Sequence, residues 1–169
     1  MNPKETLEKI MNGFEGKISD SRLEETPAGP GDKKNHSIWI SVPKKTVKPL
    51  IEHLFTIQQP HLTVISGSDL EEEIELIYHL SLGYGKGEKE ITINIRTRLS
   101  KKDLSIPTIT DLIPGGLSTE REIHEFMGVE FEGIPDSRHL FLPDDMDAYP
   151  WRDDDERVEN YINRLDEQP

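Results

Sequence analysis

The chain has 169 residues, a net charge of −13 and an isoelectric point near 4.9. The acid excess argues against nucleic acid or an anionic membrane surface as a direct partner. The absence of Cys excludes structural disulfides, Cys-ligated zinc, thiol nucleophiles and thiolate-held iron–sulfur clusters.

Apolar residues make up 33% of the chain, which supports one modest core and a tail rather than two cores. No apolar run is long enough to span a membrane. The N-terminus lacks an apolar signal core, so the expected compartment is the cytoplasm.

In chain order, Asn2 caps a first helix over Pro3 to Phe14, with Pro3 at its first position and Leu7, Ile10, Met11 and Phe14 as its stripe. Lys17 to Glu24 is a weak strand, and Thr26 to Asn35 reads as a Gly- and Pro-rich loop. His36 to Val42 alternates as a half-buried strand. A second helix is predicted from near Thr46, because Pro49 is tolerated only in a first turn, and Pro60 closes it. Leu62 to Ser66 is a short strand. Glu73 to Leu82 and Glu90 to Leu99 form the clearest pair, a hairpin around Gly83-Tyr-Gly-Lys-Gly87. The expected fold class is α+β, with two helices on a mixed, mostly antiparallel sheet, then a short helix and an extended C-terminal arm. The expected division is a core at 1–105, a signature helix and arm at 106–143, and an acidic tail at 144–169. The tail holds ten acidic residues against Arg152, Arg157 and Arg164, and Asp153 to Leu165 can form a polar helix.

Thr119 to Pro143 is the stretch with most to say. Thr119-x-x-Glu122 reads as a capping box, and Gly128 ends a short helix from Glu120 to Met127. Ile123, Phe126 and Met127 form its apolar side. The following segment has no clear period. It is an arm ordered by packing, against either its own domain or a partner.

Tests for chemistry fail. His124-Glu125 lacks the second His of a zinc-protease motif, since position 128 is Gly. The glycine-rich loop joins two strands, whereas a phosphate cradle needs a strand before and a helix after. Gly-x-Ser-x-Gly is absent. The histidines at 36, 53, 61, 79, 124 and 139 share no helical spacing suited to a metal, and carboxylates are too abundant to single out a pair. Glu120, Arg121 and Glu122 are either a solvated first turn or, more sharply, a clamp in which Arg121 grips a carboxylate in bidentate fashion. Arg138 and Arg152 are further candidate clamps amid negative charge.

Glu120-Arg-Glu122, Glu125-Phe-Met-Gly-Val129, Phe131-x-Gly133, Pro135-Asp136-x-Arg138, Leu140-Phe-Leu-Pro-Asp-Asp145 and Pro150-Trp-Arg152-Asp-Asp154 together resemble one family. It is the thirty-kilodalton subunit family of respiratory complex I, the NADH:quinone oxidoreductase, with relatives in membrane-bound, energy-converting nickel–iron hydrogenases and their sulfur-reducing kin. Ser118, Ile134, His139 and Asp153 depart from the usual pattern and point to a divergent, hydrogenase-type relative.

The resemblance implies a non-redox structural subunit of a peripheral, cytoplasmic arm, with no cofactor, metal or catalytic residue of its own. Its partners would be the large catalytic subunit and the adjacent iron–sulfur subunit. Glu120, Arg121, Glu122, Phe126, Phe131, Pro135, Asp136, Arg138 and Arg152 would form the subunit interface, on an arm that is loose without its partner. The alternative is a free-standing ligand-binding domain or metal-dependent enzyme, which would need a concave pocket with convergent polar groups.

Overall fold

The computed structural model describes residues 2–29, 34–87 and 90–166. Asn2 caps α1 (Pro3–Gly13), its side-chain oxygen accepting from the Lys4 amide at 3.0 Å. β1 (Asp20–Pro27) and β2 (Lys34–Ser41) form an antiparallel pair. They extend into the expected Thr26 to Asn35 loop from both sides; residues 30–33 of that loop lie outside the described residues.

α2 covers Lys44–Ile57, two residues earlier than predicted, so Pro49 stands inside the helix rather than in its first turn. Extended Pro43 starts it, its carbonyl accepting from the Thr46 amide at 2.8 Å. Pro60 does not end α2 but opens β3 (Pro60–Leu70), where an edge strand tolerates a proline as its first residue. β3 is twice the expected length because its alternation is disguised. A register shift separates Leu62 from Val64, and Gly67 occupies an inward position that the Met127 side chain fills.

β4 (Glu73–Leu82) and β5 (Ile91–Ser100) are the predicted hairpin. The sheet order is β1-β2-β5-β4-β3, antiparallel except where β2 meets β5. One face is apolar: Ile38, Ile40, Ile74, Leu76, Tyr78, Leu80, Leu82, Ile91, Ile93 and Ile95 are all buried, packed with Ile10 of α1 and Leu50, Ile51 and Leu54 of α2.

Beyond β5 the chain forms β6 (Ser105–Pro107), a 3₁₀ turn at Pro114–Gly116, α3 (Leu117–Met127) and β7 (Glu130–Glu132), which pairs in parallel with β6. α3 lies against β3, and Ile123, Met127, Val129 and Phe131 join the buried cluster. α4 (Arg157–Asp166) is the predicted polar helix of the tail. The architecture is α+β, as the period of the strands required.

Candidate docking site

α3 begins three residues before the predicted start, because the 3₁₀ turn runs directly into it. Thr119 therefore stands inside the helix. Its hydroxyl donates to the Gly116 carbonyl at 3.1 Å, and α3 has no side-chain cap, so the expected capping box does not form. Gly128 ends the helix in the left-handed conformation as predicted, with φ 74°. A side chain there would also collide with the Tyr149 ring, 2.7 Å from the position of an added Cβ.

Two acidic residues of α3 are buried rather than solvated. Glu120 is fully buried, sharing a hydrogen bond with the Thr108 hydroxyl at 2.5 Å and accepting from the Ile109 amide at 2.8 Å. Burial raises its pKa despite these bonds, with Lys48 opposing the shift and Asp111 adding to it. Burial raises the Tyr78 phenol well above its ordinary value, and Glu120 adds to the shift. Glu125, also buried, accepts from three consecutive amides of the arm: Leu140 at 2.6 Å, Phe141 at 3.1 Å and Leu142 at 3.4 Å.

Arg121 does not grip a carboxylate in bidentate fashion. Its Nε and Nη2 donate to the carbonyls of Arg138 and His139, each at 2.8 Å, while Asp136 stands 3.7 Å away. Arg121 and Glu125 are four residues apart on one flank of α3. The cation holds the carbonyls of 138–139 and the anion holds the amides of 140–142. This grip reads backbone, so it demands no pattern in the arm's side chains. The arm is thus hydrogen-bonded to its own domain through its backbone.

The remaining residues divide. Phe126 is half-buried under Trp151, their rings stacked with centroids 4.4 Å apart, and the Trp151 amide donates to the Phe126 carbonyl at 3.0 Å. Phe131 is buried in the core and is not a surface group. Pro135 is exposed and Glu122 half-buried. Asp136 takes Arg138 in a bidentate pair at 2.9 and 2.7 Å, which holds its carboxyl well below the usual range. Arg152 pairs likewise with Asp154, both bonds 2.9 Å. Asp154 also meets Lys101, which binds Asp69 at 2.6 Å, so the start of the tail is tied to β3.

Three large apolar side chains are exposed here. Phe141 is 67% exposed, Trp151 45% and Leu140 37%. Sequence reasoning missed Glu125 as a site residue. It also placed Glu120 in a solvated first turn or at the subunit interface and not in the interior, although Glu120 shares the stripe of Ile123 and Met127 at i+3 and i+7.

The histidines are dispersed: His79 bridges Ser66 and Asn94 at 2.8 and 2.7 Å, and His124 meets the Val129 carbonyl at 2.8 Å. Among the described residues no group of three or more His, Asp or Glu is placed to hold a metal. No described helix is long and apolar enough to cross a membrane.

Comparison with known proteins agrees with the signature blocks. Residues 40–160 match the family described as the respiratory-chain NADH dehydrogenase, 30 Kd subunit. The chain is 30% identical over 124 residues to membrane-bound hydrogenase subunit beta of Pyrococcus furiosus, covering 72% of this chain and 71% of that one. It is 29% identical over 126 residues to NADH-quinone oxidoreductase subunit 5 of Thermus thermophilus, covering 70% and 61%.

In fold it resembles a chain of the membrane-bound sulfane sulfur reductase, an archaeal respiratory membrane complex. The TM-score is 0.73 at 22% identity, covering 98% and 92% of the two chains. A trypsin-resistant fragment of Nqo5 gives a TM-score of 0.58 at 23% identity, covering 80% and 99%. The chain belongs to the family of the respiratory-chain NADH dehydrogenase 30 Kd subunit.

Proposed function

We propose that this chain is a non-redox assembly subunit in the peripheral, cytoplasmic-side arm of a membrane-bound, complex I-like oxidoreductase. It docks on the large catalytic subunit beside an iron–sulfur subunit and holds the two in register. In this reading 1–105 is the structural core, 106–143 the docking element and 144–169 an acidic tail facing solvent or basic partner surfaces. The proposed interface is built from Glu120, Arg121, Glu122, Phe126, Phe131, Pro135, Asp136, Arg138 and Arg152. Phe131 and Glu120 serve it from the interior by seating β7 and α3, and Arg121 by holding the arm.

One observation carries the reading. Arg121 and Glu125 of the family's signature blocks hold an arm in place by its backbone and leave Leu140, Phe141 and Trp151 turned outward. Large exposed aromatic side chains on a held segment are the usual anchors of a protein interface. The names of the relatives, a hydrogenase subunit and a quinone oxidoreductase subunit, supply the kind of assembly. The zero Cys count suits a subunit whose electron carriers lie on other chains.

The test is purification of the tagged chain from its native membranes in mild detergent. The expected result is co-migration with a large catalytic subunit and an iron–sulfur subunit in one complex. A chain that migrates as a free monomer, in cells whose oxidoreductase complex is fully assembled without it, would overturn the proposal.

A further inference from the structure

We infer that Glu125 is a positioning residue that sets the Leu140–Phe141 tip for insertion into an apolar cleft with a basic rim on the partner subunit. The inference deepens the proposed function and rests on it for the identity of the partner.

Glu125 is 2% exposed, and a carboxylate so buried is retained only if its oxygens are filled by donors. Its donors are the successive amides of 140–142, a small concave array that a single anion can collect. With those amides turned inward, the side chains of Leu140 and Phe141 turn outward. Phe141 keeps only a tilted contact with Phe126, at 6.3 Å between centroids.

The tip is therefore rigid in backbone and open in side chain, an arrangement that lowers the ordering cost of binding. Its surroundings specify the occupant. Asp144, Asp145, Asp147 and Asp153 are exposed and close in sequence to the tip and Trp151, and they outnumber the exposed Arg138 and Arg157 there, so the complementary surface is an apolar cleft edged by Lys or Arg. A second copy of this chain, with a net charge of −13, would meet like charge at that rim.

Glu125→Gln separates the roles. Glutamine keeps the size but has one acceptor oxygen and places an N–H₂ against amides that also donate. Residue-resolved hydrogen exchange of the full chain alone should show the amides of 140–142 exchanging about tenfold faster or more, with β4 and β5 unchanged. When co-expressed with the large catalytic subunit, E125Q should recover at least about tenfold less complex. Phe141→Ser should lose complex comparably while its 140–142 amides stay protected. Recovery of the wild-type complex should fall as salt rises.

Unchanged protection of 140–142 in E125Q would overturn the positioning role. Faster exchange with normal assembly, or normal assembly of F141S, would overturn the tip as the inserted element. Salt-independent assembly would overturn the basic rim. If the wild-type chain fails to bind the large subunit at all, the proposed function fails and the docking inference fails with it. The exchange result would still report whether Glu125 orders the tip.

Discussion

The sheet and the arm are held by different chemistry. Ile93, Ile95, Leu80 and Leu82 are buried because apolar area leaves water, a force without direction that strand alternation delivers automatically. The arm from Gly128 to Trp151 buries Val129, Phe131, Met146 and Ala148, but its exposed stretch at 138–142 is held by directed bonds from Arg121 and Glu125 to its backbone. The first device gives global stability. The second gives one segment a fixed shape with its aromatic side chains free, which is what a docking surface needs.

The comparison breaks first at the core. Leu80→Ala should lower global stability by about 3 kcal/mol, read as a shift in the denaturant midpoint. A loss under about 1 kcal/mol would show that the sheet is not held by close packing. Arg121→Ala removes two charge-assisted bonds at a mostly buried side chain and should cost about 2 kcal/mol. That cost should appear mainly as local opening of 138–142 in hydrogen exchange, with a smaller change in the global midpoint. If the midpoint falls by as much as the local opening energy, sheet and arm unfold as one unit and the contrast is lost.

Glu120→Gln sharpens the picture through pH. The folded-state pKa of Glu120 is raised, so the native state binds its proton more tightly than the unfolded chain. Its contribution is fully present below the unfolded pKa of about 4.3 and is lost as pH rises through the raised folded value. Gln mimics the protonated acid, donating to Thr108 and accepting from Ile109. The variant should thus lack that decline in stability, and an unaltered slope would show that Glu120 is not its source. Asp103 and Asp155, both held down to about 2 by Lys44 and Arg157 respectively, act oppositely. Their stabilisation is present above about pH 4 and is lost as pH falls towards their folded values. The smallest effect belongs to Arg138→Ala. That side chain is 84% exposed, and its pair with Asp136 is screened by water, so no shift of the thermal midpoint is expected.

How far the structure is legible in the sequence follows the same division. Ile91, Ile93 and Ile95 announce β5 by period alone, and Gly128 announces the end of α3. β3 is legible only in part, because Gly67 makes room for Met127 and leaves no apolar mark. The burial of Glu120 could have been found, since it shares the stripe of Ile123 and Met127; the rule that charge faces water conceals it. Glu125 could not, because its partners are amides of 140–142, and a backbone donor has no letter in the sequence. Arg121 marks the right segment, but its carbonyl acceptors are hidden for the same reason, and a carboxylate is the wrong expectation.

The central claim is that this backbone-held arm is the surface the partner covers. Hydrogen exchange of the wild-type chain, alone and in the assembled complex, tests it most directly. The account predicts that amides between residues 134 and 152 slow by about tenfold or more on assembly, while those of β4 and β5 keep their rates. Protection gained elsewhere, with the arm unchanged, would contradict it.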